Sequence, residues 1–143
     1  MLKVGVLGAG HLGKIHLRLL NQSEKYELVG FYDAFEENAN KVAAEFGYKK
    51  FDSIAELIAA VDVVDIVTPT MQHFECAKQV IEAGKHIFIE KPISNTVEEA
   101  EEIIALANKY NVKGQVGHVE RFNPAFTAVK DKINNPMFIE THR

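Results

Sequence analysis

The chain has 143 residues, of which 47% are apolar and 25% are charged, and its formal net charge is −4. This composition is typical of a globular domain with a hydrophobic core. The acidic balance argues against nucleic acid as the main partner, because binding DNA or RNA usually needs a basic surface. No segment approaches the roughly 18 to 20 apolar residues of a membrane span, so no membrane role is expected.

The single cysteine, Cys76, allows no internal disulfide and predicts a reducing, cytoplasmic location. Its place in a helical pattern indicates a small buried residue rather than a reactive thiol. The histidines are dispersed and the cysteine has no partner, so no metal site is predicted.

Hydrophobic periodicity predicts strands and helices that alternate along the chain. The predicted strands cover residues 3–7, 27–33, 61–69, 86–90 and 113–119, with a short extra strand at 49–51. The predicted helices follow each strand, at about 12–20, 35–46, 54–60, 74–82 and 97–107. Gly47 is expected to end the second helix, Ser53 to cap the third, and Thr96 with Glu99 to form a capping box on the last. Short connections between alternating elements predict an α/β, doubly wound parallel sheet with helices on both faces.

After Pro124 the pattern changes. A further helix is predicted over 125–133, and a strand begins at Pro136 and runs to the last residue, Arg143. A strand with nothing after it suggests that the sequence is cut. We therefore predict a dinucleotide-binding domain over 1–122, and over 123–143 a linking helix and the first strand of a truncated second α/β domain.

The stretch GAGHLG places Gly8, Gly10 and Gly13 in the spacing G-x-G-x-x-G between a predicted strand and a predicted helix. In dinucleotide-binding sheets the first glycine allows the tight turn. The second lets the backbone approach the pyrophosphate, and the third lets helix and strand pack closely. His11 and Leu12, between the second and third glycines, are also predicted cofactor contacts, and the histidine is placed to flank the pyrophosphate. The alternative is a tight turn that binds nothing.

Asp33 ends the next predicted strand, twenty residues after the last glycine of the motif. A carboxylate here would accept hydrogen bonds from both adenosine-ribose hydroxyls and repel a 2′-phosphate, and Glu36 and Glu37 add to that repulsion. NAD is therefore favoured over NADP. Two alternatives stay open: Asp33 could simply cap the following helix, or the glycine motif could belong to a methyltransferase.

Three further stretches follow the carboxyl ends of predicted strands, where α/β sheets place their ligand sites. They are TPTMQH (68–73), EKP (90–92) and GHVERFNP (117–124). Together with the glycine motif they resemble the glucose–fructose oxidoreductase/inositol dehydrogenase (Gfo/Idh/MocA) family over essentially the whole chain. The combination of EKP directly after an apolar strand with RFNP further on is fairly specific.

The resemblance implies an NAD(P)-dependent oxidoreductase that transfers a hydride at a CH–OH group of a sugar, inositol or sugar nucleotide. It implies a Rossmann domain followed by a larger α/β domain, through which such proteins form homo-oligomers. The implied cofactor contacts are Thr68, Pro69 and His73 along the cofactor, Glu90 and Lys91 at the nicotinamide, and His118, Glu120 and Arg121 at the nicotinamide end of the cleft.

Lys91 is the predicted catalytic residue. Hydride transfer from an alcohol requires the hydroxyl proton to leave as well. A lysine beside a cationic nicotinamide has its charged form disfavoured by desolvation and by like charge, so it could orient or relay that proton. Pro92 either fixes the turn or sits in a cis bond that aims Lys91. The alternative reading is an ordinary surface lysine.

Other site predictions also carry alternatives. His73 could simply sit in the first turn of its helix, and His118 and Arg121 could belong to a domain junction in which Glu120 forms a salt bridge. His16 is expected to be structural. In the family a histidine of the second domain completes the acid/base pair, and no residue here can be assigned that role. We therefore expect the cofactor half of an enzyme, inactive alone. The alternative is a non-catalytic NAD sensor.

Overall fold

A computed structural model describes residues 1–140, and its centre is a five-stranded parallel sheet in the order β2-β1-β3-β4-β5. The strands are β1 (Leu2–Leu7), β2 (Tyr26–Tyr32), β3 (Val63–Ile66), β4 (His86–Glu90) and β5 (Gly114–Gly117). The helices are α1 (His11–Asn21), α2 (Glu36–Phe46), α3 (Ile54–Ala60), α4 (His73–Glu82), α5 (Val97–Lys109) and α6 (Pro124–Val129). Single 3₁₀ turns lie at Thr70–Gln72, Val119–Phe122 and Lys130–Lys132. The predicted α/β doubly wound fold is confirmed.

Helices cover the sheet from both sides because alternate strand residues point to opposite faces. On one face α1 and α2 pack over β1 and β2, around a core that includes Val6, Leu17, Phe31, Ala39 and Val42. On the other face α3, α4 and α5 enclose a larger core that includes Leu57, Val64, Ala77, Ile81 and Ile103. The near-continuous apolar runs of the central strands follow from this burial on both faces.

The predicted helix boundaries are confirmed by their caps. The Ser53 hydroxyl accepts a hydrogen bond from the Glu56 N–H at 3.2 Å. Thr96 and Glu99 form the predicted capping box at the start of α5. Gly47 ends α2 with a φ of 71°, in the left-handed region that favours glycine. These local signals position the helices, and therefore the loops between strand and helix.

Four predicted strands differ from the structure. The strand predicted over 113–119 is shorter, at Gly114–Gly117. Within residues 49–51 only Lys50 pairs with β2, through an isolated bridge to Phe31. This pairing is too short to form a strand. The strand predicted over 61–69 is shorter, at Val63–Ile66. The strand predicted from Pro136 is wrong for residues 136–140, which form no strand and have no strand beside them in the described chain. Its last three residues, 141–143, lie outside the described residues.

Candidate functional site

A groove of about 750 Å³ runs past the carboxyl ends of β1, β2 and β3. The predicted site residues that line it are Gly8, Gly10, His11, Leu12, Gly13, Asp33, Thr68 and Pro69. The other predicted residues lie outside this lining: His73, Glu90, Lys91, His118 and Arg121. The structure therefore brings Thr68 and Pro69 together with the residues predicted for the adenosine and pyrophosphate. It places His73 and the residues predicted for the nicotinamide outside the groove lining.

The glycine loop has the sterically required shape. Gly8 has a φ of 95°, and a Cβ there would lie 2.7 Å from the Val67 carbonyl oxygen. A Cβ on Gly13 would overlap the carbonyl group of Gly8, so α1 could not approach β1 as closely. By contrast, a Cβ on Gly10 would meet no atom within 4 Å. Gly10 therefore leaves open space at the start of α1, where a ligand can approach the backbone.

The first turn of α1 faces this open space. Gly10 is the N-cap residue of α1, no side chain caps the helix, and its first turn carries no acidic residue. The first N–H groups of a helix have no intrahelical partner and carry the positive end of the helix dipole. This is the arrangement that favours a phosphate group.

The Asp33 carboxylate connects the glycine loop to the start of α2. The Ala9 N–H donates to Asp33 Oδ2 at 2.7 Å, and the Phe35 N–H donates to Oδ1 at 2.8 Å. The N-cap residue of α2 is Phe35 and not Asp33. Asp33 therefore contributes to the start of this helix only by accepting the N–H of Phe35. Asp33 thus holds the glycine loop and the start of α2, which form the two sides of the groove at this end.

Asn38 lines the same end of the groove and was missed by the sequence reasoning. Its side-chain amide donates to Asp33 Oδ2 at 3.0 Å and to the Ala9 carbonyl at 3.1 Å. An ionised carboxylate has about four acceptor positions, so the donors Ala9, Phe35 and Asn38 leave roughly one for a ligand. The contact depends on how α2 begins, so the sequence carried no signal for it.

The end of β3 contributes Thr68 and His73. Thr68 Oγ1 is buried and makes no hydrogen bond to any residue of the described chain, although the Cys76 thiol, a weak donor, lies beside it. His73 is buried, with Nε2 2.8 Å from the Thr68 carbonyl and Nδ1 2.9 Å from the Pro92 carbonyl. A neutral ring donates to only one of these oxygens at a time. His73 therefore joins the loop after β3 to the loop after β4, outside the groove lining.

At the end of β4, Glu90 is buried and Lys91 is exposed. Glu90 Oε2 accepts a hydrogen bond from the Lys91 N–H at 3.2 Å. The Lys91–Pro92 peptide bond is cis, which is the second of the two geometries considered for Pro92. Because Lys91 is exposed, the described residues do not supply the desolvation expected for it.

His118 and Arg121 follow β5 and are exposed. The Arg121 N–H donates to the His118 carbonyl at 3.0 Å within a 3₁₀ turn. Glu120 accepts a hydrogen bond from the Asn123 side chain at 2.8 Å, and among the described residues it forms no salt bridge with Arg121. The salt bridge considered for this junction is therefore absent from the described part of the chain.

Cys76 is buried in α4, and burial raises the pKa of its thiol. A thiol that resists ionisation is a poor nucleophile, which fits the prediction of a packing residue. Among residues 1–140, no three His, Cys, Asp or Glu side chains are grouped to hold a metal ion. In the same range, every helix is too short or too polar to span a bilayer.

A family model described as an oxidoreductase family with an NAD-binding Rossmann fold matches residues 2–118. The chain belongs to the Gfo/Idh/MocA family. The predicted resemblance is confirmed, and the methyltransferase alternative is wrong.

Several members of the Gfo/Idh/MocA family are similar to the chain over nearly all of its length. UDP-N-acetylglucosamine 3-dehydrogenase of Acidithiobacillus ferrooxidans is 37% identical over 99% of this chain and 45% of its own. Its solved structure superimposes with a TM-score of 0.85, over 92% of this chain and 43% of that chain. Inositol 2-dehydrogenase of Rhizobium meliloti is 35% identical over 93% of this chain and 41% of its own.

A further similar structure has been solved with a cofactor. GenD2 from gentamicin A biosynthesis, in complex with NAD, is 28% identical with a TM-score of 0.85, over 92% of this chain and 38% of its own. The chain thus spans less than half the length of each of these relatives.

The residues present fit a dinucleotide. The open space at Gly10 accepts a group that the backbone must approach closely, and the buried Thr68 hydroxyl has a hydrogen-bonding capacity that no described residue satisfies. Asp33 keeps about one free acceptor position at the ribose end. The three features line one groove, and they follow the ends of the neighbouring strands β2 (Asp33), β1 (Gly10) and β3 (Thr68).

Proposed function

We propose that this chain binds NAD in the groove and forms the cofactor half of a dehydrogenase that transfers a hydride at a CH–OH group of a small polyol. A sugar, an inositol or a sugar nucleotide is the substrate class. The similar dehydrogenases, whose names specify UDP-N-acetylglucosamine and inositol, support this class. The proposal covers the whole protein, in which a second domain would supply the remaining acid/base group and the contacts of a homo-oligomer.

The observation that carries the proposal is the open space at Gly10 beside the uncapped start of α1. A turn that served only to join β1 to α1 would need Gly8 and Gly13 but not Gly10. A side chain at Gly10 would meet no protein atom, so the glycine is required only if something outside the chain occupies that space.

The charge at the ribose end supports NAD rather than NADP. Asp33 faces the groove, and Glu36 and Glu37 lie in the first turn of α2 directly after it. A 2′-phosphate placed here would be repelled by these carboxylates and would meet no arginine or lysine among the groove-lining residues. With one acceptor position left on Asp33, a single ribose hydroxyl is bound there. The Asn38 N–H groups already donate to Asp33 and Ala9, so Asn38 would accept the second hydroxyl through its amide oxygen.

Bound NAD supplies the hydride acceptor, and the chain supplies position and proton handling. The α1 amides hold the pyrophosphate and fix the cofactor along the sheet edge. Lys91, at the end of β4, orients the substrate hydroxyl and relays its proton to the acid/base group that the second domain would supply, as the hydride leaves the same carbon. Glu90, beneath it, holds the Lys91 main chain through the bond from its N–H.

Titration calorimetry of the chain with NAD and NADP tests the proposal. We expect NAD to bind more tightly, and Gly10→Ala to weaken NAD binding about tenfold or more, which is about 1.4 kcal/mol. Gly114→Ala is the matched control. Its Cβ would approach only the Ile87 side chain, at 3.3 Å, far from the groove, so NAD affinity should not change. Equal NAD affinity in Gly10→Ala and wild type would overturn the proposed site.

A sensor that binds NAD without catalysis needs the groove but not Lys91. In the whole protein, Lys91→Ala separates the two functions, assayed by NADH absorbance with a panel of polyols. A dehydrogenase loses turnover by a much larger factor than it loses NAD affinity. Unchanged turnover would assign Lys91 to the surface and favour the sensor.

A further inference from the structure

Three ionisable side chains meet on the face of the sheet that α1 covers, away from the groove lining. His16 in α1 places Nδ1 2.8 Å from Asp65 Oδ2 on β3, and Nε2 3.5 Å from Glu90 Oε1 on β4. The side chain of His16 is 16% exposed, and both carboxylates are buried. The imidazole therefore bridges two neighbouring strands.

The strand pairing makes room for this bridge. Glu90 lies opposite Gly117 in the register of β4 and β5. A Cβ on Gly117 would lie 2.5 Å from Glu90 Oε1, so only glycine leaves space for the carboxylate in its observed position. The position of the Glu90 side chain is thus fixed from one side by β5 and from the other by His16.

The charges of the three groups depend on one another. Two buried carboxylates without a cation would be costly, so a charged imidazole between them is the stable arrangement. Partial burial lowers the pKa of His16. The hydrogen bond and charge of Asp65, together with the charge of Glu90, outweigh that effect and raise the pKa above its ordinary value of 6.5. Burial raises the pKa of Asp65, and the bond to His16 offsets part of that rise.

No other charged group faces His16 in the described chain. The ring of Phe88 on β4 lies 6.1 Å from the imidazole, centroid to centroid. Tyr26 on β2 and Gln115 on β5 line the hollow of about 310 Å³ beside it, and neither carries a carboxylate or a basic group. The titration of His16 is therefore governed by Asp65 and Glu90.

Glu90 also holds the main chain of the next residue, since its Oε2 accepts the Lys91 N–H at 3.2 Å. We propose that His16, in its charged form, is a positioning residue that fixes Glu90 and, through Glu90, the strand end that carries Lys91. This inference rests on the proposed function in one respect, since the proposed function gives Lys91 its catalytic role. When His16 loses its proton, Glu90 is released and the Lys91 main chain relaxes.

The test is an NMR titration of the isotope-labelled, ligand-free chain, which follows the His16 ring and the Lys91 amide together. We expect one shared midpoint above 6.5, because protonation of His16 changes the acceptor of the Lys91 N–H. In His16→Gln the Lys91 shift at that midpoint should be lost. In Asp65→Asn the His16 midpoint should fall.

His86→Gln is the matched control. His86 also lies on β4, but its Nδ1 accepts the Lys113 N–H and it forms no ion pair among the described residues. Its replacement should leave the Lys91 titration in place. A Lys91 amide that does not change at the His16 midpoint, or a His16 midpoint at or below 6.5, would overturn the inference. The wild-type titration alone decides this, so a variant that fails to fold does not remove the test.

The same samples separate this inference from the proposed function. NAD is added to the wild-type chain after the titration, and the amides of the glycine loop report binding. A chain that shows the shared midpoint but no NAD binding would refute the proposed function and keep the positioning role. The opposite result would refute only the positioning role.

Discussion

The two ends of the proposed cofactor path are built differently. At the first crossover, Asp33 is held by two backbone N–H groups and by Asn38, and the glycine loop fits only one backbone shape. At the other end, Lys91, His118 and Arg121 are exposed on loops. The ribose and pyrophosphate end is therefore preorganised within this chain, and the residues expected at the nicotinamide are held mainly by their strand ends. Affinity should arise at the first end and chemistry at the second.

The strongest way to break the preorganised end is Gly13→Ala. The new Cβ would lie 2.8 Å from the carbonyl carbon of Gly8 and closer still to its oxygen, and this backbone cannot rotate away. We expect α1 to be displaced, with a loss of about 3 kcal/mol in the free energy of unfolding and no measurable NAD binding. Urea unfolding and calorimetry measure the two effects.

Gly10→Ala is the internal control for that experiment. Its Cβ meets no atom, so stability should stay within about 0.5 kcal/mol of wild type while NAD binding weakens. If both variants lost stability equally, the assignment of separate tasks to the two glycines would be wrong.

Asp33→Ala should have the next largest effect. The variant removes the acceptor of the Ala9 and Phe35 N–H groups, and we expect a loss of about 1 to 2 kcal/mol of stability. NAD binding should weaken roughly tenfold or more, and the preference for NAD over NADP should narrow. Urea unfolding and calorimetry with both cofactors test this. Asp33→Asn keeps an acceptor oxygen but not the charge. A preference for NAD that survives this change would contradict the electrostatic argument.

Most of the fold could be predicted because its signals are local. The glycine motif, the Thr96–Glu99 capping box and the left-handed Gly47 each lie within a few residues of the element that they begin or end. The errors were strands, at 49–51 and from Pro136. A strand exists only through pairing with a distant segment, and periodicity alone carries no information about that partner.

Site residues could be predicted where a single sequence motif contains them. They could not be predicted where residues far apart in the sequence come into contact. Asp33 was found from its spacing, but its bond to Asn38 depends on how α2 begins. Asp65 is acidic within an otherwise apolar strand, which indicates that a cation must be nearby. That cation, His16, lies 49 residues away, and only the tertiary structure identifies it. The sequence therefore indicated that a partner was needed without indicating which residue it was.

The His16 bridge should make stability depend on pH. The folded pKa of His16 is raised above its unfolded value, so the stabilisation is fully present below about pH 6.5 and is lost as pH rises through the folded pKa. The free energy of unfolding of wild type minus that of His16→Gln should therefore fall from about pH 5 to about pH 9. Urea unfolding at several pH values measures it.

His86→Gln again serves as the control, because His86 forms no ion pair among the described residues. A difference for His16→Gln that rises with pH would mean that burial, and not the carboxylates, dominates the titration of His16.

The smallest expected effect concerns Lys91, at the less organised end. Because Lys91 is exposed, Lys91→Met should change stability by no more than about 0.5 kcal/mol. If its ammonium lies near the nicotinamide, removing it should improve the affinity for NAD⁺ relative to NADH, since only NAD⁺ has a cationic ring. Water screens an exposed charge, so a change of about two- to threefold in the ratio of the two Kd values is expected.

Lys41→Met, on the exposed side of α2 and outside the groove lining, should leave the ratio unchanged. Equal ratios in both variants would place the nicotinamide away from Lys91, and the proton-handling role would then need another residue.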